Sequence, residues 1–230
     1  QTNAMAAAER LRKIKTFASM LKEHASGAGE KETQLLQKIM ASSERMSVLI
    51  NDILNFSKLT HSDASFVSTN LNQILQHVLS DLELEIDNNQ VRIEAGSLPQ
   101  IEAIPIQMNQ LFFNLIGNSL KFARPDIPLI IRIEAKEIDE ERKKSFPSLD
   151  PSILYTELLF IDNGMGFDQQ YAEKIFTIFQ RLNNRSYKGS GIGLALCRRI
   201  VQYHRGEIFA ISTEGEEASF HVILPVKQRN

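Results

Sequence analysis

Gln110-Leu-Phe-Phe-Asn114-Leu-Ile-Gly-Asn118-Ser-Leu-Lys121-Phe122 carries Leu111, Leu115 and Phe122 at helical spacing, which predicts a helix with one buried face. Asn114, Asn118 and Lys121 stand four and three apart and therefore share another face of that helix. Two carboxamides and an ammonium beside a packed stripe suit a metal and phosphate oxygens, because asparagine oxygens are hard donors that Mg2+ accepts. A polar face that is merely wet satisfies the same spacing, so the neighbouring segments must decide.

Pro105 opens the helix, and Pro125 and Pro128 close it. On the N-terminal side, Asn70 reads as the cap of a helix through Leu71, Ile74, Leu75, Val78 and Leu82. Short strands follow at 91–95 and near 101–103. On the C-terminal side, 129–135 and 155–161 read as strands, and 206–213 and 218–224 as a strand pair turning through Gly215. The charged run 139–150 reads as a solvated loop with no chemistry of its own. This order predicts helices layered on one sheet, an α/β sandwich.

The first 61 residues differ. Leu11, Ile14, Ala18 and Leu21 keep a three-four spacing, Ser26-Gly-Ala-Gly29 breaks the helix, and a longer helix runs from about 30 to 60. In the latter Ile39, Met46, Leu49, Ile53 and Phe56 follow a seven-residue repeat, widened by Leu36, Ile50 and Leu54. One hairpin cannot bury stripes this wide, whereas two packed as a four-helix bundle can, so a homodimer is expected. Packing of the hairpin on the rest of the chain is the other solution. The fold expected is thus α+β: a helical hairpin over 1–61, a linker over 62–69 and the sandwich over 70–230.

The 230 residues carry a net charge of −2, which argues against a general nucleic-acid binder. The single Cys197 excludes a disulfide framework and a cysteine-rich zinc site. No apolar run approaches the roughly 20 residues that cross a bilayer, so a reducing, cytoplasmic setting is the default. Gln1-Thr-Asn-Ala-Met5 reads as residues appended before a start methionine, which leaves room for a sensor or membrane region upstream.

Asp162-Asn-Gly164-Met-Gly166 follows directly on an apolar strand. A carboxylate held at a strand end can accept a hydrogen bond from the exocyclic amine of adenine, and the glycines let a ring approach. A plain Asp-Asn-Gly turn is the bland alternative. Gly189-Ser-Gly191-Ile-Gly193-Leu-Ala-Leu196 leads into a helix, so backbone N–H groups there can face a phosphate. Neither the lysine-threonine pair of a Walker loop nor the spacing of a dinucleotide fingerprint is present. Between the two lies 171–188, with Phe176, Phe179, Arg181, Arg185 and Lys188, which reads as a lid over a polyphosphate or as a plain surface loop.

Taken in order, these four segments resemble the N, G1, F and G2 boxes of the histidine-kinase ATP-binding domain, over 70–226. The hairpin, with Glu9-Arg-Leu-Arg12, resembles the dimerisation and phosphotransfer domain that precedes it in sensor kinases. The resemblance implies that Asn118 binds Mg2+ on the phosphates of ATP, with Asn114 and Lys121 beside it. It implies that Asp162 selects adenine, that Gly164 and Gly166 shape the base pocket, and that Gly189, Gly191 and Gly193 hold the phosphate end of the lid. Phe176 and Phe179 correspond to the aromatics that dock the lid. The implied partners are a second copy and a response-regulator receiver domain, with any membrane contact made through regions outside this chain.

Asn114 stands where the gyrase branch carries its water-activating glutamate, and a carboxamide is no general base, so phosphoryl transfer is favoured over hydrolysis. The sequence departs from the family at the acceptor box, where Met5 occupies the histidine position and Ala6 the adjacent acid. His24, His61, His77, His204 and His221 lie in unrelated contexts. The chain is therefore expected to bind Mg-ATP without phosphorylating itself at the usual position. A nucleotide-binding interaction module and an ATP hydrolase of the same superfamily remain as alternatives.

Overall fold

A computed structural model describes residues 14, 16–21, 34–43, 46, 50, 65–180 and 191–228. The chain divides into two compact units, Gln1–Ser62 with Lys188–Ile192, and Asp63–Tyr187 with Gly193–Asn230. In the first, helix α1 covers 16–21 and helix α2 covers 34–43, with 46 and 50 also helical. Ile39 and Met46 of the expected seam are about half exposed on the single chain, as are Ile14 and Met20. The seam positions Leu49, Ile53, Leu54 and Phe56 lie outside the described residues.

The second unit runs β1 (Val67–Asn70), α3 (Leu71–Asp81), α4 (Glu83–Asn88), β2 (Arg92–Ala95), β3 (Gln100–Ala103), α5 (Pro105–Lys121) and β4 (Ile130–Glu137). It continues with α6 (Glu140–Lys143), β5 (Tyr155–Asp162), two 3-10 turns at Gln169–Tyr171 and Lys174–Phe176, α7 (Gly193–Tyr203), β6 (Glu207–Thr213) and β7 (Glu217–Pro225). Five strands form one sheet in the order β2-β4-β5-β7-β6, parallel only between β2 and β4. β1 and β3 form a separate antiparallel pair.

Helices α3, α5 and α7 lie side by side, with α5 central, and bury Leu71 and Val78, Met108, Leu111, Phe112, Leu115 and Ile116, and Leu196, Ile200 and Val201. Phe112 of α5 meets Phe160 of β5 edge to face at 5.0 Å, so the even-numbered residues of β5 point into this helix layer. Asn70 caps α3 as expected, its side chain accepting from Asn72 N–H at 2.9 Å.

Two stretches differ from the sequence expectation. β1 begins within the expected linker: Thr69 is buried, its hydroxyl 2.9 Å from Val67 O and 3.1 Å from Ala103 O, while Phe66 stacks on Tyr203 and meets His204 edge-on. Its polar side chains hid a strand whose pairing partner, β3, lies far along the chain.

The run 139–150 is a cover and not a solvated loop. Asp139 caps α6, and Phe146 and Leu149 join Ile138, Tyr155 and Ile223 in a second core. Beside it Arg142 donates to both oxygens of buried Glu157, at 2.7 and 3.0 Å, and His221 contacts the same carboxylate at 2.7 Å. Burial pushes the Glu157 carboxyl up, but the bonds and charges of His221 and Arg142 outweigh it and hold the group at about 2.

Candidate nucleotide-binding site

The candidate site is assembled on α5. Its polar face presents Asn114, Asn118 and Lys121, all partly buried, while its opposite stripe is sealed by Leu111, Phe112 and Leu115. Asn114 Oδ1 accepts from Gln110 Nε2 at 3.3 Å, one helical turn back. A Cβ built on Gly193, the first residue of α7, would sit 3.6 Å from that oxygen, so the N-terminus of α7 abuts Asn114. Lys121 Nζ lies 4.6 Å from the centroid of the Phe122 ring.

Asn114 Nδ2 is buried with no hydrogen-bond partner. The Cys197 thiol beside it is fully buried, pushed up to about 12 by that burial, and offers only a weak sulfur acceptor. An orphaned amide donor next to a helix N-terminus fits an anionic oxygen, and the flanking carboxamide and ammonium fit a metal-bound polyphosphate.

Asp162 closes β5 and is buried. Ser119, one residue past Asn118, donates its hydroxyl to Asp162 Oδ2 at 2.7 Å, and Gly164 N–H donates to Oδ1 at 3.0 Å. Burial raises the Asp162 carboxyl above the ordinary aspartate range, Glu217 adds to the rise, and the two donors oppose it.

The glycines of this loop have tighter reasons than ring access. A Cβ on Gly164 would stand 2.7 Å from both Asp162 Oδ1 and Phe122 O. Gly166 has φ +56°, and its Cβ would collide with Thr213 O and lie 2.8 Å from Glu217 O. The loop is thus wedged between the end of α5 and the β6–β7 turn, with Met165 N–H donating to Phe122 O at 2.9 Å and Gly215 N–H to Met165 O at 2.7 Å. Asn163 is a strut: it accepts from Ile130 N–H at 2.8 Å and donates to Pro128 O at 3.0 Å.

Of the two phenylalanines expected to dock a lid, only Phe176 is buried. It is buried against Phe220, and the Arg198 guanidinium lies 4.5 Å from its ring and pairs with Glu173 at 2.9 Å. Phe179, expected to dock as well, is instead 57% exposed with φ +65°, in the left-handed region. Gly191 takes φ +74°, where glycine alone is unstrained. Gly189, Arg181, Arg185, Lys188 and Met5 lie outside the described residues. α5 therefore brings Asn114, Asn118, Lys121, Asp162, Gly164 and Gly193 onto one element and its immediate contacts.

Residues 103–228 match the family described as histidine kinase-, DNA gyrase B- and HSP90-like ATPase. The chain belongs to that family. Residues 11–62 match the His Kinase A phospho-acceptor domain, so this is a sensor histidine kinase core. The phytochrome-like protein Cph1 of Synechocystis sp. is 32% identical over 95% of this chain and 27% of its own length. Cyanobacterial phytochrome A of Nostoc sp. is 36% identical over 80% of this chain and 22% of its own. The chain thus spans about a quarter of these curated relatives.

Full-length ShkA, solved in complex with AMPPNP, superposes with a TM-score of 0.69 at 19% identity, covering all of this chain and 46% of that one. The catalytic domain of histidine kinase ThkA superposes with a TM-score of 0.56 at 21% identity over 71% of this chain and 99% of its own. Both likenesses concern the fold.

Ser119, Asn163 and Arg198 are the residues that sequence reasoning missed. Ser119 left a trace: it falls on the same stripe as Met108, Phe112 and Leu115, and a hydroxyl on a core stripe needs a partner. Asn163 and Arg198 left none, because their partners are far away in sequence.

Proposed function

We propose that the chain is the core of a two-component sensor histidine kinase. The second unit, with β1 as its first strand, binds Mg-ATP, and the hairpin 1–61 dimerises into a four-helix bundle that also receives a response-regulator receiver domain. In the whole protein the γ-phosphoryl passes to a histidine and then to an aspartate of the regulator. The setting is the cytoplasm; no helix among the described residues is long and apolar enough to cross a membrane.

The observation that carries this reading is the convergence on α5 of an orphaned buried donor, Asn114 Nδ2, and a buried carboxylate, Asp162. Asp162 reads the exocyclic amine of the base. Asn114 and Lys121 bind the transferring phosphate oxygens, and Gly189, Gly191 and Gly193 hold the phosphate end of the lid. Asn118 would hold Mg2+, which when bound supplies charge neutralisation along the phosphates. Phe176 anchors the base of the lid over them. Dimerisation is supported by the half-exposed apolar residues Ile14, Met20, Ile39 and Met46 of the hairpin. Because Asn114 cannot take a proton from water, the site positions a phosphoryl group for a side-chain acceptor.

Met5 at the acceptor position makes this chain a donor site without its own target. Incubation with γ-labelled Mg-ATP and a histidine-bearing partner hairpin is expected to place an acid-labile label on the partner and none on this chain. A label on this chain contradicts the assignment of Met5. Steady phosphate release without an acceptor contradicts the kinase reading in favour of a hydrolase.

A further inference from the structure

Ser119 sits where an apolar residue would serve the helix packing equally well. It is 2% exposed, on the stripe of α5 that includes Met108, Phe112 and Leu115. A buried helical serine ordinarily returns its hydroxyl to the carbonyl four residues back, and here Leu115 O is 3.4 Å away, at the edge of bonding. The short contact runs elsewhere, at 2.7 Å to Asp162 Oδ2. A hydroxyl has one proton to give, and the carboxylate takes it.

That bond works together with the one from Gly164. An ionised carboxylate is acceptor-only, with about four lone-pair positions on its two oxygens. Gly164 N–H fills one on Oδ1 and Ser119 Oγ–H one on Oδ2, from two different elements, so the plane of the group is pinned. Each oxygen keeps one acceptor position, and those positions require a donor from the ligand. Burial leaves few waters to supply it.

We propose that Ser119 is a specificity-setting positioning residue: its hydroxyl holds the Asp162 carboxylate in the one orientation that meets a 6-amino purine. This rests on the reading of Asp162 as the base-recognition group. Without the hydroxyl, Oδ2 loses its donor, and the carboxylate, held only by Gly164 N–H on Oδ1, turns about its Cβ–Cγ bond. The amine then loses its fixed acceptor, whereas the phosphate end of the site, on the other face of α5, is untouched.

The test compares ATP with purine riboside triphosphate, which carries hydrogen in place of the 6-amino group. Both are titrated with Mg2+ into the full chain as wild type, Ser119→Ala and Ser119→Thr. Wild type is expected to prefer ATP by about 10-fold or more, as for a hydrogen bond to a charged group. Ser119→Ala is expected to lose most of that preference while keeping its affinity for purine riboside triphosphate, which shows that the site is still folded. Ser119→Thr, which retains the hydroxyl, is expected to restore it. If wild type prefers ATP and Ser119→Ala keeps the full preference, or weakens both ligands equally, the role of Ser119 is overturned while base recognition stands. If wild type binds the two ligands equally, amine recognition by Asp162 falls and the role of Ser119 with it.

Discussion

His221 Nδ1 lies 2.7 Å from Glu157 Oε1 on the face of the sheet that turns away from α5. With Arg142 on both oxygens, the pair ties the cover over 139–154 to the central strands β5 and β7. Replacing Glu157 with Gln breaks the ion pair between the exposed Arg142 guanidinium and a buried carboxylate, which should cost about 1–2 kcal/mol in denaturant unfolding. Nucleotide affinity should not change, since nothing in the cluster touches the candidate site.

Acid should act in two steps. His204 is buried, with Nδ1 at 2.8 Å from Ile200 O and Nε2 accepting from Ile104 N–H at 3.1 Å, and burial lowers it below the ordinary 6.5. A base lowered in the folded state stabilises fully above the unfolded value of 6.5, and that stability drains as pH falls through it. Glu157, lowered from 4.5 to about 2, contributes fully above 4.5 and loses its share between there and about 2. Thermal unfolding across pH should show both steps, and Glu157→Gln should remove only the lower one.

Gly166 and Gly193 should respond oppositely to alanine. At Gly166 the methyl collides with the β6–β7 turn in a positive-φ conformation, so Gly166→Ala should destabilise by about 2–3 kcal/mol or more. At Gly193 the nearest atom is 3.6 Å away, so Gly193→Ala should fold with stability within about 1 kcal/mol of wild type. Its methyl nevertheless stands over Asn114, and nucleotide affinity should fall. Melting curves with nucleotide titrations separate the two.

Phe176 and Phe179 give a similar contrast. Phe176→Ala removes a ring buried against Phe220 and Arg198 and should cost about 3–4 kcal/mol. Phe179→Gly removes an exposed ring and relieves φ +65°, so stability should hold or rise slightly.

Much of this was legible in the sequence where the signal is local. Pro105 and the spacing of Leu111 and Leu115 place α5 and its polar face, and the apolar run before Asp162 places that carboxylate at a strand end. What stayed hidden depends on distant pairing. Glu157 is a lone charge in an expected strand until Arg142 and His221 arrive from two other segments. Thr69 reads as linker until Ile101 of β3 lies opposite. Phe176 and Phe179 look equivalent in sequence, and only burial and the positive φ at Phe179 separate them.

The most direct test of the account is calorimetric titration of the chain with ATP in Mg2+, beside Asp162→Asn. Asp162 is raised by burial, so ionising it costs the fold stability as pH rises through its folded value, and Asp162→Asn should be at least as stable as wild type near neutral pH. Wild type should bind, and the variant should lose about 10-fold or more in affinity despite its intact fold. Equal binding by both, or none by wild type, would contradict the assignment of this site.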